Sequence, residues 1–166
     1  FYHDLHARFP IDEYDHFILS ELMLNINDTD EALRHINVFL HKNHNHVEGL
    51  NRRGYIFLKK EELQEAYFDL SHAHRIHPHH AQVNSNLGLY FLKKRQFAEA
   101  EEWMNMALKN DASCGLCWFN KGLWNEEKWR WAEALNCFEQ AEKYGYQYHG
   151  LALKIAEMDN LTNHSK

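Results

Sequence analysis

The sequence predicts an all-α fold assembled from repeated helical units, and three observations carry that expectation. Only two prolines and seven glycines are spread over 166 residues, too few turn-formers for a β-sandwich or barrel, which needs a turn about every 8 to 12 residues. Gly54, Gly88 and Gly122 follow one another at intervals of 34 residues, and a fixed interval of that size marks a repeat array. In the same register an alanine stands twelve residues after each glycine (Ala66, Ala100, Ala134) and another seven residues further on (Ala73, Ala107, Ala141).

The elements follow from that register. Residues 13–46 form a divergent first unit, with Ser20 at the glycine position, Ala32 at the first alanine, Ile36 at the large apolar position and Phe39 at the second alanine. Its apolar residues Leu19, Leu22, Met23 and Ile26, then Leu33, Ile36, Phe39 and Leu40, recur at helical spacing. Residues 47–80, 81–114 and 115–148 are the three regular units. Each has a large apolar residue four positions after its first alanine (Leu70, Met104, Phe138) and another nine after its glycine (Leu63, Phe97, Trp131), and Pro78 closes the first of them. A glycine costs a helix roughly 1 kcal/mol relative to alanine, so glycine at a fixed mid-helix position signals close helix packing. Residues 147–160 read as a capping helix, with Tyr148, Leu151, Ala152, Ile155 and Ala156 on one face and Gln147, Lys154, Glu157 and Asp159 on the other. The last residues, NLTNHSK, read as a frayed tail. The whole chain, 1–166, is expected to form one domain.

These residues resemble the tetratricopeptide repeat family, whose unit of about 34 residues is a pair of antiparallel helices. The fourth unit matches the family spacing at Trp118, Gly122, Ala134, Phe138 and Ala141, while Arg53 and Lys121 stand in place of a usual leucine and Asn125 in place of a usual aromatic. The resemblance implies a right-handed α-solenoid of antiparallel helix hairpins. It also implies that the second, fifth, sixth and ninth residues of each unit face a concave groove. These are Glu48, Asn51, Arg52 and Tyr55, then Gln82, Ser85, Asn86 and Leu89, then Leu116, Phe119, Asn120 and Leu123. Asn86 and Asn120 share one register, where an amide can both donate to and accept from a peptide backbone, and Tyr55, Leu89, Phe119 and Leu123 add apolar anchors. The expectation is a non-catalytic protein-interaction module that binds an extended peptide or a helix of a partner. The chaperone-tail clamp found in some members is absent. Only Asn86 matches it, and Asn51, Tyr55, Leu116 and Asn120 stand where its other residues belong. Two alternatives remain: a bacterial secretion-type chaperone, and a repeat arm or assembly scaffold of a larger protein, with self-association left open.

Charge and motifs narrow the function further. With 18 basic and 24 acidic residues and a formal net charge of -6, the chain repels polyphosphate, which argues against nucleic acid as the main partner. No stretch approaches the roughly 18 consecutive apolar residues of a membrane span, so direct membrane insertion is not expected. The start, FYHDLHARFP, lacks the pattern of a signal peptide. Because the chain opens on Phe1 rather than methionine, it can be a fragment of a longer protein. Three cysteines are too few for a disulfide framework and slightly favour a reducing, cytoplasmic setting.

Fourteen histidines make surface charge pH-dependent near pH ~6. His46 and His80 share a register, but neither the histidines nor the Cys114/Cys117 pair matches the spacing of a structural zinc site. No metal, no cofactor and no enzyme signature is expected. Trp118 and Trp131 fall on core positions, whereas Trp124 and Trp129 fall where smaller or polar residues belong, so at least one of the two is expected at the surface.

Overall fold

The structure, a computed structural model, describes residues 12–147 and 150–164. Among these residues there are nine α-helices: α1 Glu13–Asn25, α2 Thr29–Lys42, α3 Val47–Lys59, α4 Leu63–Ile76, α5 Ala81–Lys93, α6 Phe97–Asn110, α7 Gly115–Glu127, α8 Trp131–Lys143 and α9 Leu151–His164. The first helix of each hairpin begins at residue 13, 47, 81 or 115 and the second at 29, 63, 97 or 131, so the 34-residue period of the glycines is also the period of the backbone. The divergent segment 13–46 forms a hairpin like the others. By their contacts the residues divide into two compact units, Phe1–Ile76 and His77–Lys166. Repeats bury surface mainly against their neighbours, which allows a repeat chain to divide at a turn between hairpins.

The small residues sit where helices cross. All six register alanines are fully buried, together with Leu70, Met104 and Phe138. A Cβ added at Gly54, Gly88 or Gly122 would fall 2.7 Å from Leu70, 2.6 Å from Met104 or 2.4 Å from Phe138, well inside van der Waals contact. In each unit the glycine of the first helix receives the large side chain of the second.

The two kinds of hairpin end repeat as well. The turn inside each hairpin has one residue in the left-handed region, at Asn27, Glu61, Arg95 and Trp129, with φ of 62°, 61°, 59° and 57°. The next residue donates its N–H to the carbonyl five positions back: Asp28 to Met23, Glu62 to Phe57, Gln96 to Phe91 and Arg130 to Asn125. This is the Schellman closure of a helix C-terminus. At the other end, the N-caps of the first helices are Asp12, His46, His80 and Cys114, again one repeat apart. The Nδ1 atoms of His46 and His80 accept from the backbone N–H of Gly49 at 3.2 Å and of Val83 at 3.4 Å. The shared register of these two histidines, which the sequence reading weighed as a metal signal, is therefore the register of helix capping.

Unit 1 contains a buried histidine whose hydrogen bonds fix its protonation. Arg34 Nη2 lies 2.9 Å from His35 Nε2, and His35 Nδ1 lies 2.7 Å from His16 Nδ1 across the α1–α2 hairpin. A guanidinium can only donate, so His35 accepts at Nε2, carries its proton on Nδ1 and gives it to His16. Burial, then the Arg34 guanidinium, then His16 hold the His35 pKa below its usual 6.5, against the opposing pull of Glu31. The unfolded chain therefore binds more protons than the folded one at mildly acidic pH, and stability falls as pH drops. The loss is expected to begin near pH 6.5 and to continue until the lowered pKa of His35 is passed. Amide exchange in α1 and α2 at pH about 7.5 and about 5 checks this. The His35→Gln variant, whose amide can donate to His16 and accept from Arg34, is expected to lose the His35 share of the pH dependence.

The C-terminal helix differs from its expected form in extent and in face. It starts at Leu151 and runs through the segment expected to fray, to His164. Its buried residues are Leu151 and Met158, with Ile155 and Leu161 packed against Phe138 and its neighbours, while Ala152 and Ala156 are exposed. The larger side chains turn inward because α8 presents a fully buried Phe138 and Ala141 to them. Tyr148 lies outside the described residues. No helix among the described residues is long and apolar enough to cross a membrane.

Candidate functional site

The first helices of the hairpins hold the residues expected to face a ligand. In unit 2 these helices are α5 and α7, which pack against each other. Residues 82, 85, 86 and 89 share one face of α5 by their spacing, and residues 116, 119, 120 and 123 share one face of α7.

The structure brings the two register asparagines together. Asn120 Nδ2 donates to Ser85 Oγ at 2.9 Å and reaches Asn86 Oδ1 at 3.5 Å. Each asparagine is only 1% exposed. Their amides act between α5 and α7, which revises the expectation that they point outward. Two helices crossing this closely exclude water between them, and a buried amide must then find its partner within the protein. Leu89 and Phe119 are buried as well. Phe119 lies with its ring centroid 5.6 Å from Phe138 and 4.9 Å from Tyr146. On this face Gln82 is exposed and Leu116 and Leu123 are half-buried.

In unit 1 the corresponding residues on α3 are also engaged within the fold. Arg52 donates to the Phe17 carbonyl, to Ser20 Oγ at 3.0 Å and to Glu21 at 3.0 Å, and its guanidinium lies 3.8 Å from the centre of the Phe17 ring. Burial pulls its pKa down and the carboxylates of Glu21 and Glu48 oppose that. It ties α3 to α1. Asn51 is buried and Tyr55 half-buried.

Sequence reasoning missed the charge pairing of the leucine-position substitutions. Arg53 Nε and Nη2 donate to both oxygens of Asp69 at 2.6 and 2.8 Å, and Arg53 Nη1 donates to Asn37 Oδ1 at 3.0 Å. Lys121 reaches Glu101 at 3.4 Å, and burial lowers its pKa. Each cation that replaces a leucine faces an anion from another helix. The available signal was an acidic residue at position 69, where the equivalent residues are Trp103 and Cys137.

The cysteines and tryptophans also resolve. Cys114 and Cys117 form a disulfide with Cα atoms 5.2 Å apart. An N-cap residue and the third residue of its helix lie on one side of the first turn, which brings the two sulfurs together. Cys137 is free and buried, and burial pushes its thiol pKa up. Among the described residues no group of three or more His, Cys, Asp or Glu could hold a metal ion. Trp124 is buried, its indole N–H donating to the Phe97 carbonyl at 2.8 Å, and Trp129 is 78% exposed.

Hairpins in fixed register, packed through small residues and closed by repeated caps, define an all-α helical-repeat solenoid. The tetratricopeptide repeat family model matches residues 66–113. Among solved structures, the chain is similar to TTC0263, a thermophilic tetratricopeptide-repeat protein of Thermus thermophilus. That match has 17% identity and a TM-score of 0.74, over 92% of this chain and 84% of the other. It is similar to a chain of the APC/C hetero-tetramer Cut9–Hcn1, at 17% identity and a TM-score of 0.77, over 99% of this chain and 32% of the other. It is similar also to PilF of Pseudomonas aeruginosa, at 17% identity and a TM-score of 0.63, over 96% of this chain and 73% of the other. No curated protein matches the sequence. The chain carries a tetratricopeptide-repeat match over residues 66–113 and has the fold of the tetratricopeptide-repeat solenoids.

Proposed function

We propose that this chain is a non-catalytic interaction module that takes an extended segment or a helix of a partner protein on the face of unit 2 lined by α5 and α7. The observation that supports this reading is the Ser85–Asn86–Asn120 cluster, which fixes two first helices side by side and leaves Gln82, Leu116 and Leu123 around it within reach of solvent. Such a face has a rigid floor and an adaptable rim, so a bound segment loses entropy while the module loses little. The asparagines contribute by holding the floor, and the rim residues carry the contacts. In unit 1, Tyr55 is the equivalent half-buried position.

Photo-crosslinking tests this directly. A photoreactive phenylalanine at position 123 or 82 is expected to capture a discrete protein partner from the native source, and the same group at Glu139, exposed on α8, is expected not to. Capture from Glu139 at equal yield, or from none of the three positions, would remove the reading.

A further inference from the structure

We propose that the tips of the α5–α6 and α7–α8 turns form a second docking surface, separate from the α5–α7 face, that takes an acidic segment of a partner protein with Trp129 as its apolar anchor. Trp129 occupies the left-handed turn position at φ 57°, where a bulky side chain is strained and where the other hairpins place Asn27, Glu61 and Arg95. Its side chain is 78% exposed, so burial does not offset that strain. The Schellman bonds hold this left-handed position in every hairpin, so what sets the last turn apart is the exposed indole it carries. A large aromatic held in the open is also the commonest anchor of protein interfaces.

The surroundings select the ligand. Phe97 carries two cations, with the Arg95 guanidinium 5.3 Å and the Lys128 ammonium 5.1 Å from the centre of its ring. The Arg130 guanidinium lies 5.1 Å from the centre of the buried Trp124 ring, and Trp124 is itself bonded to the Phe97 carbonyl. Arg95 and Lys128 thus reach the Phe97 ring from two turns, and Lys128 and Arg130 flank Trp129 in the chain. Glu127 lies 3.9 Å from Arg95. Glu127 offsets only one of the three cations, and the remaining excess of positive charge favours an anionic partner. The protein as a whole carries a net charge of -6, which opposes a long polyanion such as nucleic acid at a distance and leaves a short acidic peptide as the favoured occupant.

The test uses a fluorescein-labelled peptide of about twelve Asp and Glu residues around one central Phe, titrated by anisotropy against the full chain. Trp129→Asn, which suits a left-handed turn, is expected to weaken binding at least about tenfold while leaving Tm unchanged or higher. The double variant Arg95→Glu with Lys128→Glu is expected to weaken it as much, and raising salt from about 50 to 200 mM to weaken it further. Gln82→Ala, at the exposed rim of the α5–α7 face, is expected to leave this affinity unchanged, which separates failure here from failure of the first reading. The proposal is overturned if the peptide does not bind, or if Trp129→Asn lowers Tm while binding persists. It is equally overturned if an oligothymidylate or phosphatidylserine vesicles compete more strongly than the peptide.

Discussion

Arg53→Leu, which restores the residue usual at this repeat position, is expected to lower the stability of unit 1 by about 3–5 kcal/mol. The reason is the partner left behind. Asp69 is 1% exposed and both of its oxygens are held by Arg53. Removing the guanidinium leaves both oxygens of this carboxylate without their partner at the α3–α4 crossing. Asn37, on α2, loses its bond to Arg53 in the same step, so the change loosens three helices. The double variant Arg53→Leu with Asp69→Leu is expected to regain most or all of the loss, since a well-packed apolar pair commonly replaces a buried ion pair without penalty. Urea unfolding of the two single variants and the double variant gives the coupling as a thermodynamic cycle. A loss under about 1 kcal/mol for Arg53→Leu, within the range of ordinary surface changes, would mean that Asp69 finds another partner, and the pair would then have no structural role.

This pair also marks the limit of what the sequence conveys. The glycine and alanine register was legible because a helix crossing accepts only a small residue, and the same residue type then recurs at every crossing. The hairpin closures recur just as strictly, but no side chain reports them. The left-handed position is filled by Asn27, Glu61, Arg95 and Trp129 and the N-cap by Asp12, His46, His80 and Cys114. The backbone bonds of the Schellman turn hold the first set, and any side chain with a lone pair can serve in the second, so residue identity drifts while geometry stays. The candidate site was legible by half. Register alone aligned Asn86 with Asn120, but whether an aligned side chain faces solvent depends on how closely the adjacent first helix approaches, and a single helix's periodicity does not contain that distance. Trp129 was identified with Trp124 as out of pattern, and only the packing of Trp124 under Phe97 separated the buried indole from the exposed one.

Gly122→Ala is expected to destabilise unit 2 by about 1–3 kcal/mol, the range for overpacking a filled core, although alanine is the better helix former by roughly 1 kcal/mol. The added methyl would meet three atoms of the Phe138 ring at 2.4, 2.7 and 2.9 Å. That ring is fully buried and lies against Phe119. A rigid ring can escape only by rotating about its first two torsions, and its neighbours occupy the space it would enter. The equivalent change in the preceding repeat has a different outcome. At Gly88 the new methyl meets Met104 Cγ at 2.6 Å; a change in χ1 moves that atom, and the flexible thioether beyond it can refit the core as a ring cannot. Backbone atoms at 3.2 and 3.3 Å have only a few tenths of an ångström to yield. Gly88→Ala should therefore be milder than Gly122→Ala by about 1 kcal/mol or more, the scale of one misplaced core methylene. Phe138→Leu, which installs the side chain that Leu70 supplies in the second unit, should rescue Gly122→Ala while being destabilising by itself. Thermal unfolding of the four variants decides the matter. Equal losses at the two glycines, or no rescue by Phe138→Leu, would show that the alanine acts through the helix backbone rather than through the ring it faces.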